Sequence, residues 1–533
     1  SLAIADGCIV GWGDREALET VDVGGAALTP AFVDAHMHLE STKLWVDEFV
    51  RAVLPHGTTA VAADPHEIAN VFGIPGVAAL IAAAADLPFH FGVCASSCVP
   101  ASPFESAGAE LSHTDVADLL DGHGAIGVAE VMNFPGVIGG DPEMLARIAT
   151  AGSRRVDGHA PGLRGQQLDA YLAAGVESDH ECTMLDEATE KRMKGMWVFI
   201  RQGSASKNLD DLIPMVLEGG TDLIAFCTDD REPDTLRSVG HINDCCRRAV
   251  AAGVSTEDAL IMASTNPALY HGFTHLGSLA PGYQADILAF DDLGSWQPTT
   301  VWQRGRVVAT RGEITPGLIE DTPAPEWMKS SIHLETALDP VDFALAAPEG
   351  DAKVIGVVGG SLTTAHLTMD VDDPATDVAR IACVERHRET GRVGLGYVSG
   401  FGIERGAIAS TVAHDAHNCM AIGHRGPSGP AEMAAAVNRL REIGGGQVVV
   451  LDGEVLAEVR LPIGGLMSDR LAGEVAAELD TLVEAGRTLG ITIEAPFMQL
   501  SFLGLSVLPQ LRITDRGLVD VDRFELTSLA AGD

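Results

Sequence analysis

The chain is predicted to be an α/β protein built around a (β/α)₈ barrel, with a small β-sandwich formed from both flanks and a C-terminal α/β domain. Between residues 28 and 230, eight short β-rich runs alternate with eight helical patterns, and six of those runs end in acidic or histidine side chains. Eight such units in series are what a closed barrel requires. The alternative, a doubly wound open sheet, normally has a Gly-rich phosphate turn after its first strand, where this chain has His-Met-His.

The predicted barrel strands are short apolar and β-branched runs bounded by turn residues. In chain order they cover residues 32–36, 58–64, 89–95, 125–131, 155–159, 176–180, 197–201 and 223–229. Amphipathic or Ala-rich segments between them predict the outer helices, for example 44–54, 77–85, 142–151, 185–194 and 209–217. We therefore expect the barrel domain to cover residues 28–277.

Both flanks of the barrel are β-patterned and punctuated by glycine. Residues 4–13, 283–290 and 301–310 carry this pattern, which predicts a small β-sandwich made of residues 1–27 and 278–325. A segment with two prolines, 322–327, is typical of a linker. Residues 326–533 are expected to form a separate α/β domain, because β runs at 354–358, 447–451 and 455–461 mix with helical patterns at 431–443 and 469–489.

Composition indicates a globular protein with large cores, since 46% of its 533 residues are hydrophobic and 21% are charged. A formal net charge of -40 argues against nucleic acid or an anionic membrane as partner. No apolar run is long enough to cross a bilayer, and no signal peptide is evident. Nine scattered cysteines favour reduced thiols. A cytoplasmic protein is expected, and a homodimer, because large barrels often associate.

His36 and His38 stand two positions apart at the end of an apolar run that includes Phe32 and Val33. Because strand side chains alternate between faces, both rings point the same way and can bind one metal ion. Asp34 stands where a carboxylate could orient a ligand. For an isolated His-x-His motif, the alternative is that the two histidines simply lie on the polar face of a strand.

Polar side chains also follow most of the other predicted strands. Alone, such a histidine is more often a hydrogen-bonded structural residue, and such an aspartate a helix cap. A barrel, however, gathers the C-terminal ends of all its strands around one mouth, which predicts a shared metal centre. The residues are Asp64, His66 and Glu67 after the second strand, Glu130 on the fourth, His159 on the fifth, His180 and Glu181 on the sixth, and Asp229 and Asp230 on the eighth.

Longer motifs extend over essentially the whole chain. They are PAFVDAHMHLEST, LPHGTTAVAADPHEIANVFG, SSCVPASPFESAGAEL, AEVMNFPGVI, DGHAPGL, ESDHE, FCTDDR, ASTNPALYHGF, LAPGYQADI and VAHDAHN. In these motifs the chain resembles the amidohydrolase superfamily of metal-dependent hydrolases and, within it, the adenine deaminase family. Two departures are a shorter N-terminal stretch and Ala416, where the family pattern has a serine.

The resemblance implies two divalent ions per subunit. It implies that His36 and His38 bind one ion and His159 and His180 the other, with Asp229 against the first and Glu130 bridging both. Many relatives bridge with a carbamylated lysine instead, but no lysine of this chain lies at the fourth strand; the nearest are Lys43, Lys191, Lys194 and Lys207. Mn(II) or Fe(II) is implied more than Zn(II).

The implied reaction is hydrolytic deamination of adenine to hypoxanthine and ammonia in purine salvage, a hydrolysis of a C–N bond in a cyclic amidine. A metal-bound hydroxide would attack C6, with water as second substrate and Asp229 as general acid/base. His66 and Glu67 are expected to hold the purine or move protons; alternatively, they cap the helix that starts near Ile68. Glu181 is expected to face the other side of its strand, in a supporting or structural role.

Several alternatives stay open at this point. The zinc nucleobase deaminase signature fails, because Cys94 and Cys98 have the wrong spacing and no preceding proline. His414, Asp415, His417 and Asn418 could form a further metal or substrate cluster, or a hydrogen-bonded loop. The substrate could instead be an N6-substituted adenine or a cyclic amide. A catalytically inactive barrel with a binding role is the remaining alternative.

Overall fold

The computed structural model describes residues 1–359 and 362–532. Three short strands precede the barrel: β1 (Leu2–Ala5), β2 (Cys8–Trp12) and β3 (Ala27–Pro30). The barrel strands follow in chain order as β4 (Phe32–Met37), β5 (Thr58–Ala63), β6 (His90–Val93), β7 (Ala95–Ser96), β8 (Gly127–Val131), β9 (Arg155–Gly158), β10 (Ser178–Asp179), β11 (Trp197–Arg201) and β12 (Ile224–Cys227). The third predicted strand is split, because β6 and β7 are separated by Cys94.

The predicted (β/α)₈ barrel is confirmed, since its strands are parallel and the ring closes. Parallel pairing joins β4, β5 and β6, then β7, β8 and β9, then β10, β11 and β12. The Glu177 amide donates to Val156 O (2.9 Å) between β9 and β10. The last strand returns to the first through Asp229 N to His36 O (3.0 Å) and His38 N to Asp229 O (3.1 Å). The closing bonds therefore lie at the residues predicted to bind metal.

Helices surround this ring. They are α1 (Val46–Val53), α2 (His66–Phe72), α3 (Ile74–Ala84), α4 (His113–Asp121), α5 (Phe134–Gly139), α6 (Pro142–Ala149), α7 (Gly165–Ala173), α8 (Leu185–Met193), α9 (Leu209–Gly219), α10 (Pro233–Val239), α11 (Ile242–Ala251), α12 (Thr256–Leu260) and α13 (Asn266–Tyr270). In α3 the buried residues Val77, Leu80 and Ala84 recur at helical spacing. The alanine-rich run is therefore an outer barrel helix.

Strands from both flanks meet in one antiparallel sheet. The strands after the barrel are β13 (Ile287–Phe290), β14 (Thr300–Gln303), β15 (Arg306–Thr310) and β16 (Glu313–Ile314), and the sheet order is β16-β15-β14-β13-β3. The hairpin of β1 and β2 joins this flank through Ile9 N to Tyr283 O (2.8 Å) and Ala285 N to Gly7 O (2.9 Å). Buried Ile9, Ala285 and Ile287 share a small apolar core there.

The proline-bearing segment 322–327 lies against the barrel. The Thr322 amide donates to Asp47 Oδ2 (2.9 Å), and the Trp327 ring packs edge-on against Phe72 with centroids 5.1 Å apart. Short 3₁₀ helices follow at Glu326–Lys329 and Pro340–Phe343.

The C-terminal region is a large mixed sheet with helices. Its strands are β17 (Ala352–Val357), β18 (Thr364–Met369), β19 (Val378–Val384), β20 (Val393–Ser399), β21 (Ala407–Ser410), β22 (Cys419–Gly423), β23 (Gly446–Leu451) and β24 (Glu454–Arg460), in the order β18-β17-β20-β19-β22-β21-β23-β24. The remaining elements are α14 (Gly429–Ile443), α15 (Ala472–Thr488), α16 (Pro496–Phe502), β25 (Leu511–Thr514), β26 (Gly517–Asp520) and β27 (Glu525–Thr527). The two long helical patterns of the sequence correspond to α14 and α15.

Apolar side chains of α14, including Met433, Val437 and Leu440, pack on the large sheet in a core separate from the barrel. In residues 1–359 and 362–532, no helix combines the length and the apolar character needed to cross a membrane.

Candidate metal centre and its pocket

His38 faces the centre of the barrel mouth with one nitrogen. Its Nδ1 lies 2.9 Å from the backbone oxygen of Asp64, a pure acceptor, so Nδ1 carries the proton. The lone pair is then on Nε2, which lies 3.0 Å from Glu130 Oε1 and 3.1 Å from Asp229 Oδ1. A histidine fixed in this tautomer is suited to bind a cation between itself and the two carboxylates.

His36 completes the first group of donors. Its Nε2 lies 3.6 Å from both Glu130 Oε1 and Asp229 Oδ1, and this buried nitrogen has no hydrogen-bond partner among the described residues. A buried polar atom without a partner is costly, and a bound cation would remove that cost. His36, His38 and Asp229 therefore form a donor set that fits a metal ion.

Glu130 links this set to a second one. Its other oxygen, Oε2, lies 2.7 Å from His159 Nδ1 and 3.3 Å from His180 Nε2. Burial opposes ionisation of Glu130, but the neighbouring His180 and His159 hold its pKa well below the usual range. The carboxylate is thus ionised, with one oxygen in each donor set, which is the geometry that a bridging ligand requires.

Asp229 is held in place by Arg201, a residue that sequence reasoning missed. Arg201 Nη1 donates to Asp229 Oδ2 (2.5 Å), which leaves Oδ1 facing the two histidines of the first set. Asp229 has a φ of 57°, a left-handed conformation that costs a non-glycine residue about 1–2 kcal/mol. Strain of this kind is typical of functional sites. In the sequence, the only sign of this role was that Arg201 is a charged residue at the end of an apolar predicted strand.

The expectation that Glu181 faces away from the site is wrong. Strand β10 ends at Asp179, so strand alternation no longer applies two residues later. The Glu181 carboxylate lines the pocket, lies 3.6 Å from His180 Nε2 and pairs with Arg201 through Nη2 and Oε2 (3.0 Å). It therefore stands beside the second donor set.

The alternative that His66 and Glu67 cap a helix is also wrong. Helix α2 begins at His66 without a side-chain cap, and the amide of Ile68 donates instead to Glu40 Oε1 (2.9 Å). The His66 ring is oriented by Asp64, whose Oδ2 lies 3.1 Å from its Nδ1. Glu67 lies behind the pocket, where Oε1 accepts from Ser41 Oγ (2.9 Å) and Oε2 lies 3.2 Å from His417 Nε2.

Asp34 acts on the backbone rather than on a ligand ring. Its Oδ1 accepts hydrogen bonds from the amides of His36 (3.2 Å) and Thr228 (3.1 Å), which ties β4 to the segment after β12. Burial raises the pKa of Asp34 to about 7. The remaining predicted strand-end residue, Asp230, lines the pocket, and burial raises its pKa to about 6.

The C-terminal region closes the pocket above the metal centre. His414 and Asp415 from this region face His66 across the pocket, with Asp415 Oδ1 3.4 Å from His66 Nε2. Sequence reasoning did not find the apolar walls. The pocket is lined by His38, His66, Glu130, Met132, His159, His180, Glu181, Asp229, Asp230, Leu362, His414, Asp415, Phe502, Leu505 and Leu508.

His417 and Asn418 take part in the hydrogen-bonded contact between the two regions. The amide of Ala413 donates to His417 Nδ1 (3.0 Å), so the proton of the neutral ring is on Nε2 and faces Glu67. Burial, opposed by Glu67, lowers the pKa of His417 to about 4. Asn418 Nδ2 donates to Ser106 O (2.8 Å) in the barrel. These two residues therefore fit the hydrogen-bonded loop alternative.

Tyr171 positions the strand that carries His159. Its hydroxyl donates to Val131 O (2.6 Å) and accepts from His159 N (3.1 Å), and the side chain is fully buried. We expect Tyr171→Phe to lower the free energy of unfolding by about 1–3 kcal/mol, because two buried backbone groups lose their partner. Urea unfolding checks this, with half-buried Tyr283→Phe, in the bend before β13, as control. Equal losses in the two variants would contradict the prediction.

Comparison with known proteins identifies two matching family models. Residues 27–310 match the model described as "Amidohydrolase family", and residues 361–525 match "Adenine deaminase C-terminal domain". The chain is 45% identical to an adenine deaminase of Desulfatibacillum aliphaticivorans, over 99% of this chain and 93% of that protein. It is 41% identical to "Adenine deaminase 2" of Carboxydothermus hydrogenoformans, over 99% and 93%. An adenine deaminase of Cereibacter sphaeroides is 42% identical, over 98% and 93%.

Proposed function

Because the chain belongs to the amidohydrolase family and, within it, to the adenine deaminases, we propose that it hydrolyses adenine to hypoxanthine and ammonia. One observation carries the proposal: Glu130 contributes one carboxylate oxygen to each of two buried donor sets at the barrel mouth. The pocket above them is of mixed character, with apolar walls and a few polar groups, as small-molecule sites usually are.

As an amidohydrolase, the enzyme uses a divalent metal. We propose two ions per chain: His36, His38 and Asp229 would hold one, His159 and His180 the other, and Glu130 would bridge them. Imidazole and carboxylate donors suit Mn(II), Fe(II) and Zn(II) alike, and we propose Mn(II) or Fe(II) because the family resemblance implies these ions. When bound, the ions lower the pKa of a water molecule and so supply a nucleophile at neutral pH.

In this proposal Asp229 is the general acid/base. In the balanced reaction a C6–O bond forms and the C6–N6 bond breaks, while the two protons of water go to ring nitrogen N1 and to the departing amine. Asp229 Oδ1 faces the metal donors, so it would take a proton there and deliver it to ring nitrogen N1 or to the departing amine N6. Arg201 supports this role because it holds Asp229 Oδ2 and prevents the carboxylate from rotating away.

His66 and Glu67 have different roles in the proposal. His66 lines the pocket, so it would contact the purine or move a proton at it. Glu67 lies behind the pocket and holds the segment of His414 and His417, so it acts as a positioning residue.

The other regions are assigned supporting roles. We propose that residues 1–27 and 278–325 form a β-sandwich that braces the barrel, and that residues 326–533 form the domain that covers its mouth. We also propose a cytoplasmic homodimer; exposed apolar side chains on the N-terminal flank, such as Trp12 at 57%, support association.

Ammonia release from adenine tests the proposal. The chelated protein is expected to be inactive, and reconstitution with Mn(II) or Fe(II), the ions that the family resemblance implies, is expected to restore more turnover than Zn(II). Ammonia is measured with adenine, N6-methyladenine and a cyclic amide as parallel substrates. Metal-loaded protein that releases no ammonia from adenine would contradict the proposal, and turnover of another member of the panel would identify the substrate class.

A further inference from the structure

Asp415 is a buried carboxylate with an oxygen that nothing in the described chain satisfies. The residue is 2% exposed and lines the pocket, yet its Oδ2 has no hydrogen-bond partner among the described residues. Its other oxygen, Oδ1, lies 3.4 Å from His66 Nε2 and 3.6 Å from His414 Nδ1. Leaving a buried carboxylate oxygen unpaired is costly, so a hydrogen-bond donor from a ligand at this point would stabilise the pocket.

The His66 ring lies between Asp415 and the bridging carboxylate Glu130, so it indicates how far apart these two groups are. The His66 ring spans that distance along one wall, with Nδ1 3.5 Å from Glu130 Oε1 and Nε2 3.4 Å from Asp415 Oδ1. Asp415 is therefore separated from the bridging carboxylate by one five-membered ring and two contacts. A purine with C6 at the metal centre has its far ring nitrogen, N9, at the opposite end of the fused rings.

The walls between these two ends suit a flat ring. Met132, Phe502, Leu505 and Leu508 are apolar, so they can cover the faces of a heterocycle but cannot recognise its edges. Recognition of the far edge is left to His66, His414 and Asp415. Phe502 also stacks on His414, with ring centroids 4.5 Å apart and planes 11° from parallel, which fixes this end of the pocket.

We propose that Asp415 accepts a hydrogen bond from N9–H of the purine, so that the C-terminal domain selects the free base and excludes nucleosides. This inference rests on the proposed function. A substituent at N9 removes the donor and presses carbon against a buried carboxylate. An enzyme site that forms a hydrogen bond with an N–H or O–H group of its substrate discriminates against analogues that lack this group by factors of about 10⁴–10⁵ in kcat/KM.

The test compares adenine with 9-methyladenine as substrates of the metal-loaded, full-length enzyme. We expect the wild type to prefer adenine by about 10³-fold or more in kcat/KM. Asp415→Ala should lose most of its activity on adenine and reduce this preference to about tenfold, because both the acceptor and the steric block are removed. Asp415→Asn, which keeps an acceptor oxygen, should retain part of the preference. Exposed Asp522→Ala is the control and should match the wild type.

Metal content and thermal unfolding accompany the kinetics. Both Asp415 variants are expected to keep the wild-type metal content and folded structure. An Asp415→Ala enzyme that is active and keeps the wild-type preference would overturn this inference but not the proposed function. Loss of an ion from that variant would do the same, since Asp415 would then hold metal. A wild type that deaminates neither compound would instead overturn the proposed function. If Asp415→Ala fails to fold, an Asp415→Asn enzyme with unchanged rate and preference would still overturn the inference.

Discussion

Replacing Asp229 with asparagine is expected to lower kcat for ammonia release from adenine by about 10³-fold or more. Loss of a positioned general acid/base alone costs about 10²–10⁴ in rate. Here the change also removes the charge that Arg201 and His38 contact, since Asp229 Oδ2 accepts from Arg201 Nη1 (2.5 Å) and Oδ1 lies 3.1 Å from His38 Nε2. Steady-state ammonia assays on the Mn(II)-loaded enzyme measure the effect.

Metal content must be determined in the same preparations, because Asp229 also belongs to a donor set. Asp222→Asn is a matched control, because this exposed aspartate lies two residues before β12 whereas Asp229 lies two residues after it. This substitution should leave the rate unchanged. An Asp229→Asn enzyme that retains its metal and half of its kcat would exclude this residue as the acid/base. Glu181, which stands beside the second donor set, would then be the next carboxylate to examine.

The barrel could be predicted from the sequence because buried parallel strands are continuous apolar runs with sharp boundaries. The predicted strand 197–201 coincides with β11 (Trp197–Arg201), and 32–36 differs from β4 (Phe32–Met37) by one residue. The least accurate prediction is 176–180, of which only Ser178–Asp179 is strand. That run is short and carries charged residues, so it has few apolar side chains to define its ends.

The convergence of the strand-end residues followed from barrel topology alone, since all strand ends meet at one mouth. Side-chain direction beyond a strand end did not follow, which explains the error at Glu181. The cap interpretation of His66 and Glu67 failed for a related reason: a distant carboxylate, Glu40, takes the Ile68 amide. The contact between His66 and Asp415 joins two regions far apart in sequence, and no local pattern reports such a pairing.

Glu130→Gln is expected to have the other large effect, on metal binding as well as on rate. The carboxylate is the one group shared by both donor sets, with Oε1 3.0 Å from His38 Nε2 and Oε2 2.7 Å from His159 Nδ1. A neutral amide offers a single acceptor oxygen and places an NH₂ donor against the other set. We expect metal content to fall from the proposed two ions per chain to one or fewer, and ammonia release to fall by about 10³-fold or more.

Elemental analysis and ammonia assays of the same samples check this, with exposed Glu218→Gln on α9 as control. Added bicarbonate should not restore Glu130→Gln, because the buried lysines cannot supply a carbamate bridge. Lys43 pairs with Glu232, and Lys191 Nζ lies 2.6 Å from Glu187 Oε1 and 3.1 Å from Asp179 Oδ2. A Glu130→Gln enzyme with two ions and the wild-type rate would show that another carboxylate bridges them. The charge of that bridge would then have to come from Glu181, whose Oε1 is 3.8 Å from His159 Nδ1 and 3.6 Å from His180 Nε2.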